Sequence, residues 1–285
     1  MKLWIMGFAA LIYGLLILFS ERIAFPSIQA TFLIFLLTFL GYLMRGARWK
    51  LLLKKNGMEI GYSDAVKTFI AGLAFIITPG KLGEVAKSEL MKEKYGFKRK
   101  KIIFLTVVER AFDIFANLII AFFGATAIAS QFLKNFLFLL LGFILISLLI
   151  YLFRGKIKMV EEEIASLGDP KLIVSCLFIS ILAWGIEGIE VWILAKDFEF
   201  NLSILKSLFA FSASLIFGNL TMLPGGLGSA EAALITLLSM YGIEKGIASI
   251  ITIAVRLSTF WFGFFLGSLF WFLLGMSGRN ESTDN

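Results

Sequence analysis

Apolar residues run nearly unbroken over 3–19, 27–44, 102–128, 132–153, 172–195 and 246–274. Each run reaches or passes the ~17 residues that a helix needs to cross a bilayer core. Two other apolar stretches behave differently. Residues 68–78 are too short to cross and stop at Pro79-Gly80. Residues 207–223 are borderline and stop at Pro224-Gly225-Gly226, with another apolar stretch, 227–241, directly behind. The N-terminal run follows Lys2 in the manner of a signal peptide, but Ser20-Glu21-Arg22-Ile23 offers no small-x-small cleavage site. It reads as a retained first span.

Lys and Arg gather on the cytoplasmic side of membrane proteins, and this sets the orientation. Segments 45–67, 81–101 and 154–171, with Lys2 and Arg279, hold twenty of the 27 basic residues. The other side receives Arg22, Lys134, Lys196, Lys206 and Lys245, while Arg110 and Arg256 fall inside predicted spans. Both termini are therefore expected in the cytoplasm. Because 45–67 and 81–101 share that side, the short piece between them has to enter and return: a re-entrant hairpin turning at Pro79-Gly80. The same count makes 207–241 a re-entrant hairpin from the external side. The expected fold is all-α and polytopic, with about six transmembrane helices plus two re-entrant helical hairpins. Irregular backbone at membrane depth survives only when protein buries it or when it lines a cavity. Two such turns point to a cavity.

An internal repeat relates the hairpins. Pro79-Gly80-Lys81-Leu82-Gly83 matches Pro224-Gly225-Gly226-Leu227-Gly228 at an offset of 145. Trp49 precedes its proline by 30 residues and Trp192 by 32; Arg110 and Arg256 follow theirs by 31 and 32. Two units of span, hairpin and span result, about 27–128 and 172–274, inverted with respect to each other. They form a single membrane domain, 1–278, followed by a polar cytoplasmic tail, 279–285. Inverted repeats with broken helices that meet near the midplane are a transporter arrangement. The plain alternative is a duplicated but static membrane protein.

Composition narrows the chemistry. Of 285 residues, 59% are apolar and only 16% charged, against about 25% charged in soluble domains. No soluble domain larger than a loop fits. There is no His, which excludes Ser-His-Asp triads, imidazole bases and His-ligated metals. The lone Cys176 excludes disulfides and Cys-cluster metal sites. No cofactor or metal is expected. The net charge of +7 reports membrane orientation rather than nucleic-acid binding.

The remaining chemistry lies in charges inside apolar runs. Gly80 and Gly83 permit an unusual turn and a close ligand approach. The half-helix behind them presents free N–H groups to an anion, and Lys81 adds a positive charge. Lys81 otherwise reads as an interfacial lysine, and Glu84 as a helix cap. The second turn, with Gly225, Gly226 and Gly228, has the same spare N–H groups, and Glu231 lies one turn on, as a cap or a site residue. Glu109 and Asp113 share a helix face beside Arg110, either around a watery site or as a self-neutralising triad. Charges at this depth cost at least ~2.5–3.5 kcal/mol each unless paired or wet. Glu187 and Glu190 share a face of the fifth span; they either pair with Arg256 or take up and release protons. Arg256, near the middle of its run, is the candidate anion contact. Arg48-Trp49 sits just past the second run, as a ligand contact or as a snorkelling Arg beside a belt Trp.

Arg48-Trp49, the Pro79–Glu84 turn, Glu109-Arg110-x-x-Asp113 and Pro224-Gly225-Gly226-Leu227-Gly228 with Glu231 resemble the transmembrane region of lysylphosphatidylglycerol synthases, the flippase-like domain family. The resemblance covers nearly the whole chain. It implies a membrane domain that moves an anionic lipid between leaflets, either an aminoacylated phospholipid or a polyprenyl-phosphate-linked sugar. The family's turn often carries Arg where this chain has Lys81. No aminoacyl-transfer domain follows before Asn285, so synthase activity is not expected here, and a separate lipid-modifying enzyme would supply the substrate.

The expected function is therefore that of a lipid transporter in the cell membrane, not an enzyme. A phosphate-bearing head group would be contacted by Arg48, Lys81, Arg110 and Arg256. Glu84 and Glu231 would also bind substrate, and with Glu109, Asp113, Glu187 and Glu190, the candidates for charge pairing or coupling, they would orient these bases, bind a cationic head group or couple protons. No GxxxxGK[ST] loop is present, so ATP hydrolysis is not expected. The rivals are a membrane-embedded enzyme that modifies lipid head groups, and an ion or small-solute channel. No nucleic-acid partner is expected.

Overall fold

The computed structural model describes residues 24–79, 81–125 and 169–283, together with Gly14. The predicted spans at 3–19 and 132–153, and Gly80, lie outside the described residues. What is described is helical. A long helix α1 (Ile28–Lys55) leads to a hairpin of α2 (Tyr62–Gly72), two 3-10 turns (Leu73–Phe75 and Leu82–Ala86) and α3 (Lys87–Tyr95). The long α4 (Arg99–Ala125) closes this half. The second half begins with α5 (Pro170–Asp197). Its hairpin is α6 (Ile204–Leu220) and α7 (Ser229–Met240), and it ends on α8 (Lys245–Arg256), which runs through a π-turn (Leu257–Trp261) into α9 (Phe262–Thr283).

Local signals place the helix starts. The Ser27 hydroxyl accepts from the Ala30 N–H at 3.1 Å, and Asp169 caps α5 ahead of Pro170 at its first position. Such caps satisfy N–H groups that the helix itself leaves free. Segments Ile28–Lys55, Pro170–Asp197 and Lys245–Gly275 are long and apolar enough to cross a membrane. Their outward faces carry Phe32, Leu36, Leu40, Val174, Phe178, Phe265 and Leu269, all exposed. The charges away from the helix ends, Arg45, Arg48, Glu187, Glu190 and Arg256, lie inside. This reversal of the soluble pattern is what a lipid solvent demands.

α1 and α5 run antiparallel along their whole length. Ser27 meets Asp197 at one end, with Oγ donating at 2.6 Å. Lys55 meets Asp169 at the other, at 2.7 Å. Between them a Cβ on Gly41 would lie 3.6 Å from the Ala183 carbonyl. Each half also packs its hairpin in the same way. Gly46 of α1 lies under Val66 of α2, and Gly188 of α5 lies under Leu208 of α6. The final helix of each half then grips the hairpin of the other, through Gly124 against Leu205 and Phe209, and Gly267 against Ile70 and Ala74. Such close helix contact through glycine drives association where lipid removes the hydrophobic term.

The hairpins enter from opposite ends of the α1–α5 pair. One starts beside Lys55 and returns to Arg99; the other starts beside Asp197 and returns to Lys245. Their tips meet, with Pro79 and Pro224 forming an antiparallel bridge. This is the convergence that the two Pro-Gly motifs predict.

Gly267→Leu should destabilise the protein in detergent by about 1–3 kcal/mol through overpacking, since its Cβ would lie 2.7 Å from the Ile70 carbonyl oxygen. Gly185→Ala, with nothing within 4 Å, should leave the melting temperature unchanged or slightly raised. Equal melting curves would remove the glycine contacts from the account of the fold.

Candidate functional site

Tyr42 and Arg45 on α1, and Trp184 and Glu187 on α5, lie within about one turn of their helix midpoints. With Lys81 and Glu84 of the first tip, Arg110 of α4, Arg256 at the end of α8, and Thr259 and Phe260 of the π-turn, they line a narrow polar cavity of about 30 Å³. That is room for a water molecule or two. A second cavity, about 330 Å³, adjoins it between α4 and α6, walled by Ile114, Asn117, Leu215, Ile216, Leu220 and Met222. Lys81, Arg110, Trp184 and Leu215 belong to both. The helices α4 and α6 touch at Gly124 and Leu205 and part toward Ile114 and Leu220, both exposed. The larger space therefore opens along the lipid-facing flank of the bundle.

Around the polar cavity the ion pairs are dense. Arg110 lies 3.2 Å from Glu84 and 2.9 Å from Asp113. Arg45 pairs with Glu187, and its guanidinium sits 4.1 Å from the Trp184 ring centroid. The Lys81 ammonium lies 5.1 Å from the same ring, and forms no carboxylate pair among the described residues. Its backbone is left-handed, at φ 57°, a conformation that costs a non-glycine residue about 1 kcal/mol or more. The tip thus holds an unpaired ammonium, against the backbone's preference, at the wall shared by both cavities.

Several expected site residues serve the protein itself. The apolar pattern puts Arg48 at the cytoplasmic interface, as a ligand contact or a snorkelling side chain, but it is fully buried. It donates to Asp113 at 2.6 Å and Ser180 at 2.5 Å, and lies 3.5 Å from Glu109. It borders neither cavity, because α1 continues to Lys55 and carries Arg48 inside the bundle. Glu109 pairs with Lys87, whose ammonium sits 3.9 Å from the Trp49 ring centroid. Asp113 gathers Arg48, Arg110 and the Trp184 indole, the last at 2.9 Å. Arg256 does not reach Glu187 or Glu190. It donates to Glu231 at 2.7 Å and the Gly225 carbonyl at 3.0 Å, tying down the second tip at the wall of the polar cavity. Glu231 also accepts from the Gly228 N–H at 2.7 Å, closing that tip from the other side. Glu190 accepts from Thr38 at 2.7 Å and lies 2.9 Å from the Ser258 hydroxyl.

Gly83 and Gly225 make room for neighbouring parts of the chain. A Cβ on Gly83 would lie 2.6 Å from Thr78 Cγ2, and one on Gly225, at φ 61°, would strike the Phe260 ring. Gly226 and Gly228 also take positive φ. The pattern of apolar runs missed Arg45 and Lys87 because both looked like cytoplasmic charges. The signal that places Arg45 inside is its spacing, three residues before Arg48 on one helix face. Among the described residues, no three His, Cys, Asp or Glu side chains are grouped to hold a metal ion.

Residues 4–267 match the family model described as the lysylphosphatidylglycerol synthase TM region. The chain belongs to that family. Among curated relatives, a UPF0104 membrane protein of Methanocaldococcus jannaschii is 26% identical over 216 residues, 70% of this chain and 92% of its own. UPF0104 membrane proteins of Methanothermobacter thermautotrophicus and Pyrococcus horikoshii are 28% and 26% identical over 109 and 116 residues. Those two matches span 38% and 40% of this chain and 30% and 35% of the relatives. This family and these relatives are membrane proteins, in agreement with the apolar helices.

Two substitutions separate frame from site. Arg48→Met leaves Glu109 and Asp113 short of a buried partner and should cost about 3–5 kcal/mol, read as a large fall in the melting temperature in detergent. Lys81→Met should leave that temperature nearly unchanged. A reversed order would contradict this division.

Proposed function

We propose that the protein moves a lipid with an anionic, phosphate-bearing head group between the leaflets of the cell membrane, without hydrolysing ATP. The observation that carries this reading is the pair of adjoining cavities, one small and polar, the other larger and apolar, joined at Lys81, Arg110 and Trp184. An amphiphile matches that division. Its phosphate would meet Lys81 and Arg110 at the wall that both cavities share, and the polar chamber, with room now for a water or two, would have to widen before an aminoacyl ammonium reached Glu84 or Glu187. A chain would lie in the apolar cavity and continue into the bilayer past Ile114 and Leu220. Only the head group then needs a polar path.

The architecture supports movement rather than storage. Two opposed hairpins that meet at mid-depth let one site be reached from either face in turn. The distribution of Lys and Arg supports cytoplasmic termini, with the Pro79 hairpin rising from the cytoplasm. In this reading the protein makes and breaks no covalent bond, and a separate enzyme supplies any modified lipid. The membership of a synthase transmembrane-region family agrees with handling of such lipids.

Purified protein in liposomes should exchange fluorescent phosphatidylglycerol between leaflets, followed by dithionite quenching. Lys81→Met should slow exchange about tenfold or more, the worth of a charge-assisted contact. Ile216→Trp, which fills the apolar cavity, should slow it too, while a lipid with a neutral head group should not respond to Lys81→Met. Turnover of the lipid to a new chemical species would favour an enzyme, and solute leakage without lipid exchange a channel. Unchanged rates for both variants would end the reading.

A further inference from the structure

Among the described residues, Glu190 is a buried carboxylate that meets hydroxyls rather than a cation. It is fully buried on α5, and no Lys or Arg lies within ion-pair distance of it among the described residues. The polar and charged groups that act on it come from α1, from its own helix and from the π-turn. From α1 come Thr38, whose hydroxyl donates to Oε1 at 2.7 Å, and Tyr42, whose hydroxyl is committed to the Thr259 carbonyl at 2.7 Å. Arg45, also on α1, is held by Glu187, one turn earlier than Glu190 on the same helix face. The π-turn contributes Ser258 and Thr259.

The Ser258 hydroxyl decides the protonation state. Its oxygen lies 2.9 Å from Glu190 Oε2 and 2.9 Å from the Val255 carbonyl oxygen. A serine has one proton to donate and two lone pairs to accept with. If Glu190 is ionised, Ser258 faces two acceptors with one proton, and the two contacts share that proton. If Glu190 is protonated, every contact is made: Thr38 donates to Oε1, Glu190 donates through Oε2 to Ser258, and Ser258 donates to Val255. Burial without a cation favours the same form, because it disfavours the charge.

Glu187 is the second half of the device. It shares the helix face with Glu190, it borders the polar cavity, and it pairs with Arg45. Arg45 borders that cavity as well, and its Nε is buried with no hydrogen-bond partner among the described residues. Lys81 and Asp113 are the other charges that act on Glu187. An anion entering the chamber would compete with Glu187 for Arg45.

We propose that Glu187 and Glu190 form a proton-binding pair that couples movement of the anionic lipid to proton uptake. Glu190 holds its proton in the state described. When the phosphate takes the guanidinium of Arg45, the ion pair with Glu187 is exchanged for one with phosphate. The released Glu187 carboxylate then takes a proton from water, so that no net charge is added to the chamber. Lipid anion and proton move together, and a pH gradient drives the lipid. This inference rests on the transport reading above, and its test is built to fail separately.

The first arm is infrared spectroscopy of the detergent-solubilised protein near neutral pH. The wild type should show a deuterium-sensitive carboxylic-acid C=O band that Glu190→Gln removes. Glutamine can still accept from Thr38 and donate to Ser258, so this variant should keep its fold. The absence of that band, or its survival in Glu190→Gln, overturns the assignment whatever the protein transports. The second arm adds short-chain phosphatidylglycerol to weakly buffered protein with a pH indicator. Wild type and Glu190→Gln should take up a proton on binding, and Glu187→Gln should bind without uptake. Equal uptake in all three, or binding with none, refutes the coupling. In liposomes, exchange that ignores an imposed pH gradient refutes the coupling but leaves the transport reading standing. No exchange of any anionic lipid refutes transport, while the infrared arm still decides the state of Glu190.

Discussion

A helix broken inside a membrane has to find partners for its freed backbone groups within the protein itself. Here the two breaks answer each other. The tips at Pro79 and Pro224 form a single antiparallel bridge, and each hairpin is held at its flank by the last helix of the opposite half. Neither hairpin has a stable position alone. That mutual dependence fixes where the cavities fall, because the space between two tips and two long antiparallel helices is the one place the chain cannot fill with regular structure.

The buried charges follow from the same constraint. Arg45, Arg48, Lys81, Lys87, Arg110 and Arg256 face Glu84, Glu109, Asp113, Glu187, Glu190 and Glu231 in the interior. Most are bound into networks that tie a hairpin to a long helix: Arg110 to Glu84, Lys87 to Glu109, Arg256 to Glu231. Removing one member of such a pair leaves the other stranded in a low-dielectric core. The charges therefore hold the tips in place while lining the chamber, and fold and site cannot be fully separated here.

Much of this was legible in the chain. Proline and glycine interrupt a helix by direct steric and hydrogen-bonding causes, so the two motifs located both tips. The count of Lys and Arg around 68–78 gave the re-entrant path. The pairing was not legible. Arg45 follows the apolar run 27–44 and looks like the start of a wet loop, yet α1 carries on for three more turns. Hydropathy treats a buried ion pair and an aqueous interface alike, so it ended the span too early and left Arg48 and Lys87 outside. Arg256 and Glu231 are 25 residues apart in sequence, and nothing in their spacing announces that they meet at 2.7 Å. Nor does sequence announce the π-turn after Arg256 that brings Ser258 to Glu190.

That π-turn breaks the likeness between the halves. The second tip is knotted by Arg256, which grips both Glu231 and the Gly225 carbonyl, and by Glu231 capping Gly228. The first tip is held more slackly, with Arg110 at 3.2 Å from Glu84 and Lys81 in a left-handed backbone. The two halves repeat the same order of elements, yet they fasten their tips unequally: one is tied by a guanidinium to its own backbone and carboxylate, while the other keeps an ammonium with no carboxylate partner among the described residues at the wall of the chamber.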